Sequence, residues 1–206
     1  ITKSIPIVEA AVFGCAVMTG VGTAMNTCGI KPGQSVAIVG LGGVGLSAML
    51  GAIASGAGRV IAVDLAQHKL DLARQLGATD AFLASDPATV QNIRDLTHGG
   101  VHCAIEMAGA SKAFELAFAI TRRGGVTATA GLANPATQFQ IPPVALVAEE
   151  RAIRGSYMGS CVPSRDIPRF IELYQAGKLP VDRLKSSSGT LDDINEAFDR
   201  LDRGEI

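Results

Sequence analysis

The sequence predicts an α/β fold, a doubly wound parallel sheet with helices on both faces. Three observations carry that expectation. Short, fully apolar runs alternate with stretches of helical length, as strands do when crossover helices cover both of their faces. The run "SVAIV" leads into Gly40, Gly42 and Gly45, and a helical stretch opens on those glycines. A second apolar run then ends on Asp64, about twenty residues further on.

The elements follow in chain order. The opening "ITKSIPIVEAAVFGC" lacks the charged n-region and small-residue cleavage site of a signal peptide and reads as the interior of a longer chain. Strands are expected at Ser35–Val39, Arg59–Val63, Cys103–Glu106 and Val126–Ala130, with a weaker one at Ala81–Ala84. Helices are expected at Val44–Ser55, Ala66–Leu76, Ala88–Thr97 and Lys112–Thr121. Gly77 stands where a left-handed residue closes a helix. Asp86 and Pro87 suit an N-cap and a first helical residue. Past Gly131 the chain turns loop-like, with the Pro142–Pro143 pair interrupting any regular helix. A helix at Val144–Glu150, a strand-like "RAIRGSY" and a helix from Arg165 to Ala176 follow. Near the end Thr190 suits an N-cap, with apolar positions at Ile194, Ala197, Phe198 and Leu201 and a stop at Gly204.

Composition narrows the function classes. The 206 residues are 48% hydrophobic and 18% charged, enough apolar material for a substantial core and too little charge for disorder. With 4% aromatics and no Trp, that core is built from Ala, Val, Leu and Ile. A net charge of −1 without a basic stripe gives no sign of nucleic-acid binding. No uninterrupted apolar run reaches the roughly 18 residues of a membrane span. Cys15, Cys28, Cys103 and Cys161 show no CxxC pairing or tight spacing, which fits a reducing, cytoplasmic setting. His68, His98 and His102 are expected at helix ends or in loops, away from ligand spacing to Cys15.

Each glycine of the GxGxxG pattern has a physical task. Gly40 permits the tight turn, Gly42 lets the backbone approach a pyrophosphate, and Gly45 lets the helix pack against the strand. The helix N-terminus offers free N–H groups to phosphate. Asp64 suits the adenosine ribose hydroxyls and repels a 2′-phosphate, so NAD is expected over NADP. Lys69, a little over one helical turn past Asp64, reaches toward the same ribose or lies on a solvated face. An S-adenosylmethionine site also places an acid at the end of its second strand, but the GLGGVG spacing argues against it.

Together, "GCAVMTG", "KPGQSVAIVGLGGVG", "VDLAQHKLDLARQLGATDAF", "AIEMAG", "GGVTATAG", "IRGSYMGS" and "INEAFDRLDRGE" resemble, in order, the zinc-dependent alcohol dehydrogenases of the medium-chain dehydrogenase/reductase superfamily. The zinc-independent quinone reductases of that superfamily resemble the chain less, because they usually lack the Cys of the "GC…TG" segment. The resemblance implies a Rossmann-type cofactor domain. It implies that Cys15 supplies one thiolate to a catalytic zinc and that Thr19 and Val44 pack near the nicotinamide. Gly40, Gly42, Gly43 and Gly45 form the pyrophosphate loop, and Asp64 and Lys69 contact the adenosine ribose. Backbone at Ala130, Ser156 and Met158 meets the carboxamide. It further implies an alcohol or aldehyde substrate and a homodimer, or a higher homo-oligomer, paired along the segment Pro142–Ile153. The implied division is a junction over 1–17, the cofactor domain over 18–159 and a returning segment over 160–206. A lone Cys cannot hold zinc, since a catalytic site takes about three protein ligands. The chain is therefore expected to lack the family's N-terminal substrate domain, to bind NAD but not zinc by itself, and to be inactive alone. The competing expectation is a stand-alone dinucleotide-binding or dimerisation module without catalysis.

Overall fold

A computed structural model of the chain describes residues 5–203. Strands β1 (Ser35–Val39), β2 (Arg59–Asp64), β3 (Asp80–Leu83), β4 (Val101–Glu106), β5 (Thr121–Thr129) and β6 (Ala152–Gly155) form one parallel sheet in the order β3-β2-β1-β4-β5-β6. The chain winds outward from β1 in both directions, so the β1–β4 boundary is a topological switch point. In such sheets a crevice opens there, past the carboxyl ends of the strands.

One helical run, Ile7–Cys28, precedes the sheet. It consists of α1 (Ile7–Val12), a π-helical stretch (Phe13–Val17), α2 (Met18–Gly22) and a second π-helical stretch (Thr23–Cys28). Then come α3 (Gly43–Ala54), α4 (Gln67–Gln75), α5 (Thr89–Leu96), α6 (Ser111–Ile120), α7 (Pro143–Ala148), α8 (Pro163–Gln175) and α9 (Ile194–Asp202). The period of two along β1 divides the core. Val36 and Ile38 join a cluster with Phe13, Val17, Met49 and Phe170, while Ala37 and Val39 join Ile61, Ile93 and Ile120 on the other face. Helix α3 is buried at every position from Gly45 to Ala52, because the sheet covers one side and the long helix the other.

Several expectations are corrected. Ile7–Cys28 is long and apolar enough to cross a membrane, although no uninterrupted apolar run signals it. Its packing assigns it to the core: Phe13, Val17, Met18, Val21 and Ala24 are at most 1% exposed. Strand β5 starts at Thr121, five residues before the apolar run, because Thr121 pairs with Val101 before a register shift brings Val126 opposite Cys103. The Thr121 and Thr127 hydroxyls bond across that irregularity at 2.8 Å. Asp86 accepts the Ala88 N–H at 2.8 Å and so closes a turn ahead of α5 instead of capping it. Thr190 does form a reciprocal capping box with Asp193. Gly77 is left-handed at φ 109°. On α9, Ile194, Phe198 and Leu201 are exposed; Gly204 lies outside the described residues. Folding also pairs two cysteines that their spacing does not connect. A disulfide joins Cys28, at the end of the long helix, to Cys103 in β4, with their Cα atoms 6.6 Å apart.

His102 lies inside β4, not at a helix end or in a loop. Its Nδ1 lies 2.8 Å from the Ser35 hydroxyl, which accepts the ring N–H, and its Nε2 accepts from the Arg122 guanidinium at 2.7 Å. A second ring proton would set N–H against N–H. Burial, and then the Arg122 charge, hold the imidazole below its ordinary range. A depressed folded-state histidine binds its proton less readily than the unfolded chain does. Its contribution to stability is therefore complete above the unfolded value of about 6.5 and is lost as pH falls through it. Denaturant midpoints measured from pH 8 to pH 5 are expected to decline below about 6.5, and His102→Gln to flatten that decline. An unchanged decline in the variant contradicts this account.

Candidate functional site

The crevice at the switch point is built by the turn between β1 and α3. Gly40 leaves the strand at φ 93°, a conformation that L side chains rarely adopt, while its N–H still reaches Val63 O at 2.9 Å. A Cβ on Gly45 would overlap Gly40 O, so the turn closes this tightly only with glycine there. At Gly42 and Gly43 a Cβ would meet open space. Helix α3 starts at Gly43 with no side-chain cap. Its first-turn N–H groups are therefore left for a ligand or water, and the helix dipole adds partial positive charge there.

Asp64 closes the other side. Its Oδ2 accepts the Leu41 N–H at 2.7 Å and its Oδ1 the Ala66 N–H at 3.0 Å. The carboxylate thus ties the glycine turn to the end of β2. With two lone-pair sites occupied, two remain for a ligand. Beside it opens a cleft of about 700 Å³ lined by Gly40, Asp64, Leu65, Ser85, Lys112 and Leu116, among others. That volume suits a cofactor-sized ligand. Lys69, half-buried on α4, is not part of this lining. Lys112, near the start of α6, is, and nothing in its sequence neighbourhood signals it.

The remaining sequence-predicted residues lie toward the long helix. Cys15 is exposed and Thr19, four residues on, is half-buried. Next to Thr19 the backbones nearly touch: a Cβ on Gly20 would overlap Val44 O and come within 2.6 Å of Ala48 N. This contact brings Thr19 and Val44 together. Ser156 follows β6, with its N–H on Thr129 O at 2.8 Å, and Ala130 follows β5, with its N–H on Glu106 O at 3.0 Å. After Ser156, the residues Met158, Gly159 and Ser160 are left-handed at φ 47°, 70° and 51°. Gly159 lies so close to the long helix that a Cβ there would overlap Met18 O. Val44 on one side and Ser156 and Met158 on the other therefore sit on segments that each pack against the long helix carrying Thr19.

Some residues at this site escape sequence reasoning. Thr23 and Thr27 bond the Ser156 hydroxyl at 2.8 and 2.6 Å, and nothing local marks them. Glu106 is 2% exposed and accepts the N–H groups of Ala108 and Gly109 and the hydroxyl of Thr129. A single acid ending the apolar run "VHCAIE" is a readable signal for such a buried, fully used carboxylate. Among the described residues no three His, Cys, Asp or Glu side chains gather where they could hold a metal. Cys15 offers one thiolate. The Cys161 thiol, raised to about 11 by burial and then by Asp166, packs against Asn26 and Met18 O and is poorly suited to metal binding.

A parallel sheet wound in this order, with a glycine turn, an uncapped helix start and an acid after β2, defines a Rossmann-type domain of the dehydrogenase kind. The chain belongs to the zinc-binding dehydrogenase family: residues 43–176 match the family described as "Zinc-binding dehydrogenase". It is 34% identical over its full length to alcohol dehydrogenase 1 of Pisum sativum, covering 54% of that protein. It is 36% identical to alcohol dehydrogenase class-3 of Myxine glutinosa over 93% of the chain and 52% of that relative. The crystal structure of benzyl alcohol dehydrogenase from Acinetobacter calcoaceticus superposes with a TM-score of 0.95 at 34% identity, over 99% of this chain and 56% of that one. The chain spans about half the length of the curated relatives it matches.

Proposed function

We propose that the chain binds NAD(H) in preference to NADP(H) as the cofactor-binding portion of an alcohol dehydrogenase. The observation that carries this reading is Asp64, fixed by two backbone N–H groups at the rim of a cleft beside an uncapped helix start. In this reading the N–H groups of Gly42 to Gly45 bind pyrophosphate, and the free lone pairs of Asp64 accept the adenosine ribose hydroxyls. Lys69 reaches the same ribose from α4. Thr19 and Val44 form the wall against the nicotinamide, and backbone at Ala130, Ser156 and Met158 orients its carboxamide. Bound NAD(H) supplies a hydride acceptor or donor for an alcohol/aldehyde pair. In the whole enzyme Cys15 would contribute one ligand to a zinc whose other ligands would come from outside the described residues, and a bound zinc would supply Lewis-acid polarisation of the alcohol oxygen. The division into 1–17, 18–159 and 160–206, and a cytoplasmic setting, belong to the same proposal.

Calorimetry with NADH and NADPH tests it. NADH is expected to bind at least about tenfold more tightly, and Asp64→Ala to erode that preference. The substitution also orphans the N–H of buried Leu41, so the variant is expected to lose about 1–3 kcal/mol of stability. Equal affinity in the unsubstituted protein overturns the assignment of Asp64. In the same preparation metal analysis is expected to find no stoichiometric zinc; one zinc per chain, lost in Cys15→Ser, overturns the expectation that this chain alone lacks a complete zinc site.

We also propose a homodimer paired along β6. That strand is one of the two sheet edges, and the nearby α7 exposes Val144 and Val147. Unpaired edge backbone and exposed aliphatic side chains favour association. Sedimentation analysis at micromolar concentration is expected to show a dimer, and a monomer contradicts it.

A further inference from the structure

We propose that Thr27 is a positioning residue for the nicotinamide end of the cofactor, acting through the left-handed turn Met158–Gly159–Ser160. The inference rests on the dinucleotide reading above and deepens it. Thr27 is buried in the last turn of the long helix. Its hydroxyl is 2.6 Å from Ser156 Oγ and 2.9 Å from Ser160 Oγ, so one side chain bonds both ends of the turn.

Counting protons gives these bonds a direction. Each hydroxyl carries a single donor. Thr23 spends its proton on Thr19 O at 2.7 Å. At the 2.8 Å contact between Thr23 and Ser156, Ser156 must then be the donor. With that proton spent, Ser156 accepts from Thr27, and Thr27 in turn accepts from Ser160. The chain runs from Ser160 through Thr27, Ser156 and Thr23 to the carbonyl of Thr19, the residue set against the nicotinamide. Every link faces one way, and Thr27 stands in the middle. Removing its hydroxyl leaves Ser160 without its acceptor and Ser156 without its donor.

The turn needs such a hold. Left-handed backbone at Met158 and Ser160 is costly for residues with a Cβ and persists only where the surroundings over-determine it. Other ties of the turn include the close approach of Gly159 to Gly22 and the Asn26 amide on Gly159 O at 3.4 Å. Neither bonds Ser156 or Ser160. If the turn relaxes, the backbone at Met158 shifts while Gly40–Gly45 and Asp64, on other segments, stay in place.

Comparing NADH with ADP-ribose, which keeps the adenosine and pyrophosphate and lacks the nicotinamide, separates the two ends. Thr27→Val preserves shape and removes the hydroxyl. It is expected to weaken NADH about tenfold, from the buried Ser156 hydroxyl left without its donor and the Ser160 end of the turn released to solvent, and to leave ADP-ribose unchanged within about twofold. Thr27→Ser is expected to restore NADH affinity. Ser160→Ala removes only the outermost donor and is expected to give the same split to a smaller degree, which serves if Thr27→Val does not fold. Parallel weakening of both ligands, or no weakening of either, overturns the inference while the dinucleotide reading stands. Failure of the unsubstituted chain to bind either ligand overturns both.

Discussion

Backbone rests directly on backbone where α2 crosses the start of α3. At Gly20 there is no room for a methyl group between the long helix and Val44 O. This contact decides the rest of the site. It lets a helix buried all round lie between the sheet and the long helix, and it sets Thr19 beside Val44. The same helix two residues later, at Gly22, receives Gly159. The glycine turn after β1, the threonine helix and the loop after β6 therefore meet because small residues allow three backbones to approach.

On the far side of the turn the constraint is electrostatic. Asp64 neutralises two backbone donors, one in the glycine turn and one at the entry to α4. Glu106 plays a parallel part at the end of β4, where it serves three donors. Two carboxylates, at the ends of the two strands that flank β1, thus fix the backbone on either side of the crevice. A buried acid such as Glu106 survives because the donors around it are satisfied by it.

Much of this was legible in the residues. β1 falls on the expected Ser35–Val39, α3 begins within a residue of Val44, and even the weak run at Ala81–Ala84 pairs as β3. Those elements carry their own local signals: unbroken apolar runs, glycine spacing and a helix stop at Gly77. The start of β5 was not legible, because "TRRGG" has no strand composition and is held by pairing with β4. The length of the first helix was hidden by Gly14, Gly20 and Gly22, which weaken helix propensity locally, the latter two serving close tertiary contacts instead. The Cys28–Cys103 pair and the Thr23–Ser156–Thr27 hydroxyls join residues 75 to 133 positions apart, and no local pattern encodes such contacts. Lys69 and Lys112 show the same limit: helical spacing favoured the first, and folding brought the second into the cleft.

The central claim is that one dinucleotide lies across the switch point, its adenosine at Asp64 and its nicotinamide at Thr19. A crystal structure of the chain with NADH tests this most directly. The account predicts pyrophosphate oxygens on the N–H groups of the first turn of α3, ribose hydroxyls on Asp64, and the nicotinamide between Val44 and the Ser156–Met158 backbone. A dinucleotide bound elsewhere, or one whose nicotinamide lies away from Thr19 and Val44, would contradict it.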